Sequence, residues 1–325
     1  MAAAQRPADR AGTEWPARLH VVTGKGGTGK TSVAAALALA LAAGGRRTLL
    51  VEVEGRQGIA QLFGTDPLPY AERHLADAAD GGEVWALAVD AEEALLEYLD
   101  MFYKLGAAGR ALRKLGAIDF ATTIAPGLRD VLLTGKVKEA TTRRVEQRRV
   151  YDAVVLDAPP TGRIGRFLNV TAETARLAKV GPIKTQSESV SVLLRSPMTA
   201  VHVVTLLEEM PVQETVDAIA ELASLGFGVG RVIVNGTRSP LPAGRIVTEA
   251  ELARGLRAAG LPADRRTLDG LRDEARDQAV RRELEDSLRA DLAELDVPLV
   301  ELPLLPDGVD RAGLDVLAAA LVRGD

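Results

Sequence analysis

An eight-residue stretch near the start of the chain, GKGGTGKT at residues 24–31, restricts the fold more than any other part of the sequence. The apolar run 19–22 before it predicts a strand, and the Ala- and Leu-rich run 32–43 after it predicts a helix. A glycine-rich turn in this context can bind phosphate, because backbone N–H groups and the positive end of the helix face the anion. The chain of 325 residues therefore contains a predicted P-loop and one nucleotide site.

Each residue of this loop has a predicted role. The backbone at the small residues would approach the phosphates closely. These residues are Gly24, Gly26, Gly27, Thr28 and Gly29. Lys30 would reach the β- and γ-phosphates of ATP, and the Thr31 hydroxyl would ligate Mg²⁺. An ordinary loop of this class does not need the additional Lys25. We expect its cation to stabilise charge that develops on the γ-phosphate, as an arginine finger does.

Composition excludes several other classes of protein. The net charge of −5 and the low aromatic content of 3% argue against nucleic-acid binding. The chain has no cysteine, so it has no disulfide, thiolate metal site or cysteine nucleophile. The three histidines are scattered along the sequence without a metal-ligand spacing.

We expect no signal peptide at the start of the chain, because residues 1–18 mix arginines and acids without an apolar central region. We expect these residues to form a disordered tail. The longest uncharged run, 31–45, is shorter than the ~20 residues of a membrane span. The sequence predicts a cytoplasmic protein, with any membrane contact peripheral.

Hydrophobic patterning predicts an α/β fold in which strands and helices alternate over a single domain, residues 19–325. Such alternation is typical of a mostly parallel, doubly wound sheet. A helical insertion is predicted at about 90–149 and a polar helical segment at about 236–290. Further strands are expected at 46–53, 84–89, 151–157, 200–206, 231–235 and 299–305, with helices at 213–225 and 309–322.

The P-loop and three candidate residues, Glu54, Asp157 and Asn235, follow predicted strands, and ligands bind at the carboxyl ends of the strands in sheets of this kind. Asp157 could hold Mg²⁺ directly or through water. Gly162 could offer its N–H to the γ-phosphate, which would make residues 161–168 a switch. Glu54 could orient or deprotonate the attacking water, and Asn235 could recognise adenine through its amide. A surface acid at Glu54 and a turn residue at Asn235 remain open alternatives.

The sequence resembles one family, the deviant Walker A ATPases that include the ArsA arsenical-pump ATPase and the tail-anchored-protein targeting ATPase. The early lysine of GKGGTGKT and the segment DAPPTGRIGRFL at 157–168 carry the resemblance. PGLRDVL at 126–132 and the residues around Glu214 are also similar. The segment VEVEGRQGIAQLF at 51–63 is most similar to actinobacterial ArsA-like ATPases.

The resemblance implies a dimer that closes around ATP, with Lys25 acting on the nucleotide of the partner subunit. It also implies that Thr31 and Asp157 serve Mg²⁺, and that Asn235 and Pro303 line the adenine pocket. The dimer would be a homodimer or a heterodimer with an ArsA-like paralogue. A client protein or a membrane partner would bind the helical insertion.

Two departures from the family pattern affect these expectations. The family has an aspartate that positions water where this chain has Glu54, whose side chain is one methylene longer. The family's thiolates for zinc or arsenite have no counterpart in a chain without cysteine. We therefore expect neither zinc nor arsenite at a thiolate site.

Three functional hypotheses result. The first is a Mg²⁺-dependent ATPase whose dimer closes on ATP and reopens after hydrolysis. The second is a weakly hydrolysing regulatory subunit paired with a paralogue, which the substitution at Glu54 motivates. The third is a partition or septum-positioning ATPase, which shares the early lysine. It is disfavoured because the chain ends without a strongly basic amphipathic segment.

Overall fold

The structure is a computed structural model that describes residues 15–103, 126–170, 172, 182–238 and 248–323. The strands are β1 (Leu19–Gly24), β2 (Arg47–Glu52), β3 (Arg73–Ala78), β4 (Gly82–Ala88), β5 (Arg144–Val145), β6 (Arg148–Arg149), β7 (Ala153–Asp157), β8 (Thr199–Thr205), β9 (Val229–Thr237) and β10 (Leu299–Pro303). The α-helices are α1 (Lys30–Ala42), α2 (Gly58–Leu62), α3 (Ala91–Tyr103), α4 (Pro126–Thr142), α5 (Thr161–Leu168), α6 (Pro182–Leu194), α7 (Glu209–Ser224), α8 (Glu249–Ala258), α9 (Arg265–Ala293) and α10 (Arg311–Arg323).

Eight strands form one sheet in the order β10-β9-β8-β1-β7-β2-β4-β3. Every neighbouring pair is parallel except β3 and β4, which are antiparallel. The predicted mostly parallel α/β sheet is therefore confirmed. Strand β3 was not predicted, because its residues RHLADA are too polar to resemble a buried strand. A polar strand is tolerated at this position because β3 lies at the edge of the sheet.

Helices cover both faces of the sheet, and the alternation of side chains along each strand assigns residues to one face or the other. On one face Val22, Leu50 and Val155 belong to the apolar cluster that includes α1 and α10. The residues before or after them in the same strands, such as Val21 and Val51, belong to the cluster on the opposite face, with α4, α5 and α7. The sheet is therefore the middle layer of a three-layer structure.

Helix α1 follows the P-loop directly and is buried from Val33 to Ala42. A helix that is apolar all round is stable when it is enclosed on every side. This helix lies against β1, β2 and β7 and also packs against α10. Two glycines with positive φ, Gly44 and Gly45, follow it and turn the chain toward β2. This packing holds the start of α1 at the carboxyl end of β1.

The predicted disordered tail is wrong for residues 15–18, while residues 1–14 lie outside the described part of the chain. Trp15 is 3% exposed, and its indole N–H donates to the carbonyl of Leu321 in α10 at 3.3 Å. Its ring lies edge-on to His202 and beneath the guanidinium of Arg231. These partners are distant in sequence, so the local composition of the segment gave no indication of them.

The structure differs in detail from the two predicted helical regions, 90–149 and 236–290. Within 90–149 the structure has α3 and α4 and also a small hairpin of β5 and β6, while residues 104–125 lie outside the described residues. Within 236–290 it has the end of β9 followed by α8 and most of α9, and residues 239–247 are likewise outside the description. The single-domain assignment of 19–325 stays a prediction.

Helix α6 was not predicted. Among the residues that the structure describes, no helix is both long and apolar enough to cross a membrane.

Candidate nucleotide site

Two glycines of the P-loop combine a positive φ with close approach of a neighbouring strand. Gly24 and Gly29 have φ values of 154° and 86°. A Cβ atom at Gly24 would lie 2.2 Å from the carbonyl oxygen of Val204, and one at Gly29 would lie 2.4 Å from Nδ2 of Asn235. Both distances are far below van der Waals contact. The loop is therefore shaped by close approach of neighbouring strand ends, as well as by its own turn.

Asn235 is bound to the P-loop. Its Nδ2 donates to the carbonyl of Thr28 at 2.9 Å, so the end of β9 is tied to the loop. Recognition of adenine by Asn235 would use the amide oxygen and the second N–H. Pro303 ends the adjacent strand β10, where it pairs with Thr237 of β9. The two residues predicted for the adenine pocket thus lie at the ends of neighbouring strands.

Thr31 and Asp157 are in direct contact. The Thr31 hydroxyl donates to Oδ2 of Asp157 at 2.7 Å. Asp157 is 8% exposed, and its Oδ1 has no hydrogen-bond partner among the described residues. Burial raises the pKa of Asp157 to about 6, although the Thr31 hydrogen bond and the nearby charge of Lys30 oppose this shift. A hydroxyl and a carboxylate are hard oxygen donors, so this pair fits Mg²⁺.

Sequence reasoning did not identify Glu52, the last residue of β2. It is 2% exposed, and its Oε2 accepts the backbone N–H of Ile59 at 3.2 Å. Its Oε1 has no hydrogen-bond partner within the described ranges. The available signal was an acid inside the apolar run LLVEV, because carboxylates are seldom fully buried without a partner.

Glu54 lies two residues beyond β2, close to two arginines. Its carboxylate is 3.6 Å from Nη1 of Arg163 and 3.7 Å from Nε of Arg56. Arg163 belongs to α5, which has the bounds of the predicted switch, Thr161–Leu168. Gly162 is exposed in the first turn of α5, where backbone N–H groups lack partners within the helix.

Lys25 is engaged with α7. Its ammonium lies 2.7 Å from Oε1 of Glu214, and both side chains are about one-third exposed. The other oxygen of Glu214 accepts the Thr161 hydroxyl at 3.1 Å, and the Lys25 contact lowers the pKa of Glu214. Glu214 therefore connects the P-loop to the first residue of α5. The family resemblance included the residues around Glu214, but no role was predicted for this acid.

Comparison with known proteins agrees with this geometry. A family model described as the anion-transporting ATPase matches residues 17–191. The ATPase BagA of Mycobacterium tuberculosis is 54% identical over 323 residues, which is 95% of each chain.

The chain belongs to the anion-transporting ATPase family. A putative arsenical pump-driving ATPase of Chlorobaculum tepidum is 27% identical over 67% of this ATPase and 60% of its own length. The ATPase GET3 of Kluyveromyces lactis is 26% identical over 66% of this ATPase and 70% of its own length. The resemblance deduced from the motifs is confirmed, and this chain is an ATP-binding P-loop ATPase.

The fold of this ATPase collects most of the predicted site residues at one edge of the sheet. Loop residues 24–31 contact Asp157, Asn235 and Glu214 through the bonds described above. Glu54 lies beside α5, close to Arg163 of that helix. Among the described residues, no hydrogen bond or ion pair joins Glu54 to the loop. The roles of these residues in binding and catalysis remain predictions.

Proposed function

We propose that this ATPase is a Mg²⁺-dependent switch whose dimer closes around ATP and reopens after hydrolysis. The P-loop residues 24–31 hold the phosphates, with Lys30 on the β- and γ-phosphates. Thr31 and Asp157 hold Mg²⁺, which would neutralise charge on the phosphates when bound. Asn235 and Pro303 contact the adenine, and the N–H of Gly162 reports the γ-phosphate to α5.

The position of Lys25 carries this proposal. Its ammonium is directed to Glu214 on α7, at the rim of the loop, and not to the Thr31–Asp157 pair. Gly26 and Gly27 beside it are exposed, and a Cβ added to either would have no described atom within 4 Å. A second subunit could cover such an open rim. Lys25 would then leave Glu214 and act across the interface.

Glu54 is the proposed residue that positions water. Among the described residues its carboxylate makes long contacts with Arg163 and Arg56, at 3.6 and 3.7 Å, which a small rotation can release. A carboxylate beside the γ-phosphate can orient the attacking water and accept its proton. The longer side chain of glutamate would extend the reach by one methylene relative to the aspartate of the family.

The helical region supplies the proposed surface for a client protein or a membrane partner. A cleft of about 420 Å³ lies between α3, α4 and α6 and is lined by residues such as Tyr98, Leu132 and Gln186. Helix α4 also packs against α5, so a movement of α5 with the nucleotide would reach this region.

Steady-state hydrolysis measured against protein concentration tests the proposal. We expect turnover per chain to rise with concentration as dimers form, to vanish in Lys30→Ala and to fall at least about tenfold in Glu54→Gln. Mixing Lys25→Ala with Glu54→Gln chains should restore part of the activity, since each chain supplies what the other lacks. Turnover independent of both concentration and Lys25 would refute the dimer mechanism.

A regulatory subunit that hydrolyses ATP weakly is the second candidate. The observation in its favour is Glu54, which replaces the family aspartate and lies beside two guanidinium groups. It predicts tight binding of Mg²⁺·ATP without turnover by the chain alone, and stimulation when an ArsA-like paralogue is added. Full activity of the isolated chain, with no binding to such a paralogue, would exclude this candidate.

A further inference from the structure

Two carboxylates end adjacent strands beside the start of α1. Glu52 of β2 and Asp157 of β7 are register partners in a parallel pair, and such strands lie ~4.8 Å apart. Leu50 and Val155, two residues before them, pack in the cluster on the α1 face of the sheet. By the alternation of side chains, Glu52 and Asp157 point to that same face. The contact of Asp157 with Thr31 of α1 agrees with this assignment.

Each of the two carboxylates is buried and has one oxygen without a hydrogen-bond partner among the described residues. Glu52 is 2% exposed and Asp157 is 8% exposed. Oε1 of Glu52 and Oδ1 of Asp157 have no hydrogen-bond partner among the residues that the structure describes. Two buried negative charges on neighbouring strands repel each other, and burial without a partner costs each of them hydration. A cation bound between or beside them would remove both penalties.

We infer that Glu52 is a second carboxylate of the magnesium site, where it accepts hydrogen bonds from water molecules on the Mg²⁺ held by Thr31 and Asp157. The inference rests on the metal site of the proposed function. Mg²⁺ keeps several of its waters in proteins, and those waters need acceptors around the ion. Acceptors beyond the direct ligands orient the metal site and tune its affinity.

The position of Glu52 is fixed by the start of α2. The N–H of Ile59 binds Oε2, which leaves Oε1 as the oxygen without a described partner. A Cβ built on Gly58, beside Ile59, would lie 3.2 Å from Cγ2 of Thr31. The segment that binds Glu52 therefore passes directly over Thr31. Glu54 differs, because its carboxylate faces Arg56 and Arg163.

The test compares Mn²⁺ binding by the full-length wild-type protein and by Glu52→Gln. Each protein is titrated with Mn²⁺ in saturating ADP, and binding is measured by electron paramagnetic resonance. Glutamine has the same shape and keeps an oxygen for the Ile59 N–H. We expect the Kd for Mn²⁺ to rise about tenfold, the scale for a residue that acts through a ligand. ADP affinity in EDTA should be unchanged. Without nucleotide, Tm should rise by about 2–4 °C, since one buried negative charge is removed.

Two further variants separate the possible outcomes. Glu54→Gln should raise the Kd for Mn²⁺ less than Glu52→Gln does, which distinguishes Glu52 from a nearby acid. Asp157→Asn should weaken Mn²⁺ binding more than Glu52→Gln does. An unchanged Mn²⁺ affinity in Glu52→Gln, with the loss present in Asp157→Asn, would overturn the role of Glu52 alone. If Asp157→Asn also binds Mn²⁺ normally, the metal site of the proposed function is wrong.

Discussion

At the scale of single residues, the P-loop depends on glycine for two separate physical reasons. Gly29 has a left-handed backbone and also lies against Asn235, so a side chain there meets both strain and a steric clash. Gly26, three residues earlier, has neither constraint among the described residues. Two glycines of one motif therefore differ in what they contribute to the folded state.

Substitution of Gly29 by alanine should lower the free energy of unfolding by about 2 kcal/mol or more. The left-handed conformation alone costs roughly 1–2 kcal/mol in a residue with a Cβ atom. The Cβ would also displace Asn235 from Thr28, so we expect ATP affinity to fall. Urea denaturation and nucleotide titration measure the two effects. Gly26→Ala is the matched control, and a stability loss as large as that of Gly29→Ala would contradict this explanation.

Trp15 is a residue whose role only its packing reveals. Truncation of a buried tryptophan to alanine costs about 3–5 kcal/mol, and we expect a loss in this range from Trp15→Ala. Trp85, the other tryptophan of the chain, is only half-buried near the sheet edge. Trp85→Ala is the control and should cost less in the same urea titration. A stability loss below about 1 kcal/mol for Trp15→Ala would mean that residues 15–18 behave as the predicted tail.

At the scale of elements, Glu214 joins three parts of the structure. It lies on α7, binds Lys25 of the P-loop and accepts the hydroxyl of Thr161 at the start of α5. Gly165 of the same helix lies close to α7 as well, because an added Cβ would be 2.1 Å from Oε1 of Glu221. Thr161 and Gly165, which are one helical turn apart on α5, therefore both lie against α7.

Glu214→Gln should make dimer closure easier if Lys25 must leave Glu214 to reach the partner. An exposed ion pair contributes less than about 1 kcal/mol, so the monomer should lose little stability. The protein concentration at half-maximal ATPase rate should fall about threefold, which corresponds to roughly 0.6 kcal/mol. Asp217→Asn removes the same charge one turn along α7 and should have no effect. A lower maximal rate in Glu214→Gln would instead show that Glu214 orients Lys25 in the closed dimer.

At the scale of the whole molecule, a buried histidine pair makes stability depend on pH. His20 and His202 lie on adjacent strands with Nδ1 and Nε2 3.1 Å apart. Burial lowers the pKa of His20 to about 4 and that of His202 well below its ordinary value of 6.5. Both imidazoles are therefore neutral in the folded protein, whereas the unfolded chain takes up protons below pH 6.5.

The sign of the effect follows from proton uptake. The unfolded state binds more protons between pH 6.5 and pH 4, so the free energy of unfolding falls as the pH falls through that range. His20 alone should contribute about 3 kcal/mol of this loss, at ~1.4 kcal/mol per pH unit. Thermal unfolding between pH 7 and pH 4 measures it. His20→Gln should flatten the slope.

Local sequence patterns were sufficient to predict the P-loop, the alternation of strands and helices, and the family. These features depend on local patterns: glycines in a turn, apolar runs, and an acid such as Asp157 at a strand end. The predicted switch segment 161–168 coincides with α5, because one contiguous motif spans it, although a helix was not predicted there. The edge strand β3 and helix α6 were missed, since polar edge strands and short amphipathic helices have weak local patterns.

Contacts between residues that are distant in sequence depend on the three-dimensional fold. Trp15 reaches α10, Asn235 reaches the P-loop, Lys25 reaches Glu214, and Glu52 is buried next to Asp157. Strand order determines these contacts, because β7 lies between β1 and β2 although it follows them by about a hundred residues. A single sequence records which residues are apolar or charged. The environment of a charge depends on strands far away in the chain, which is why burial of Glu52 became visible only in the folded molecule.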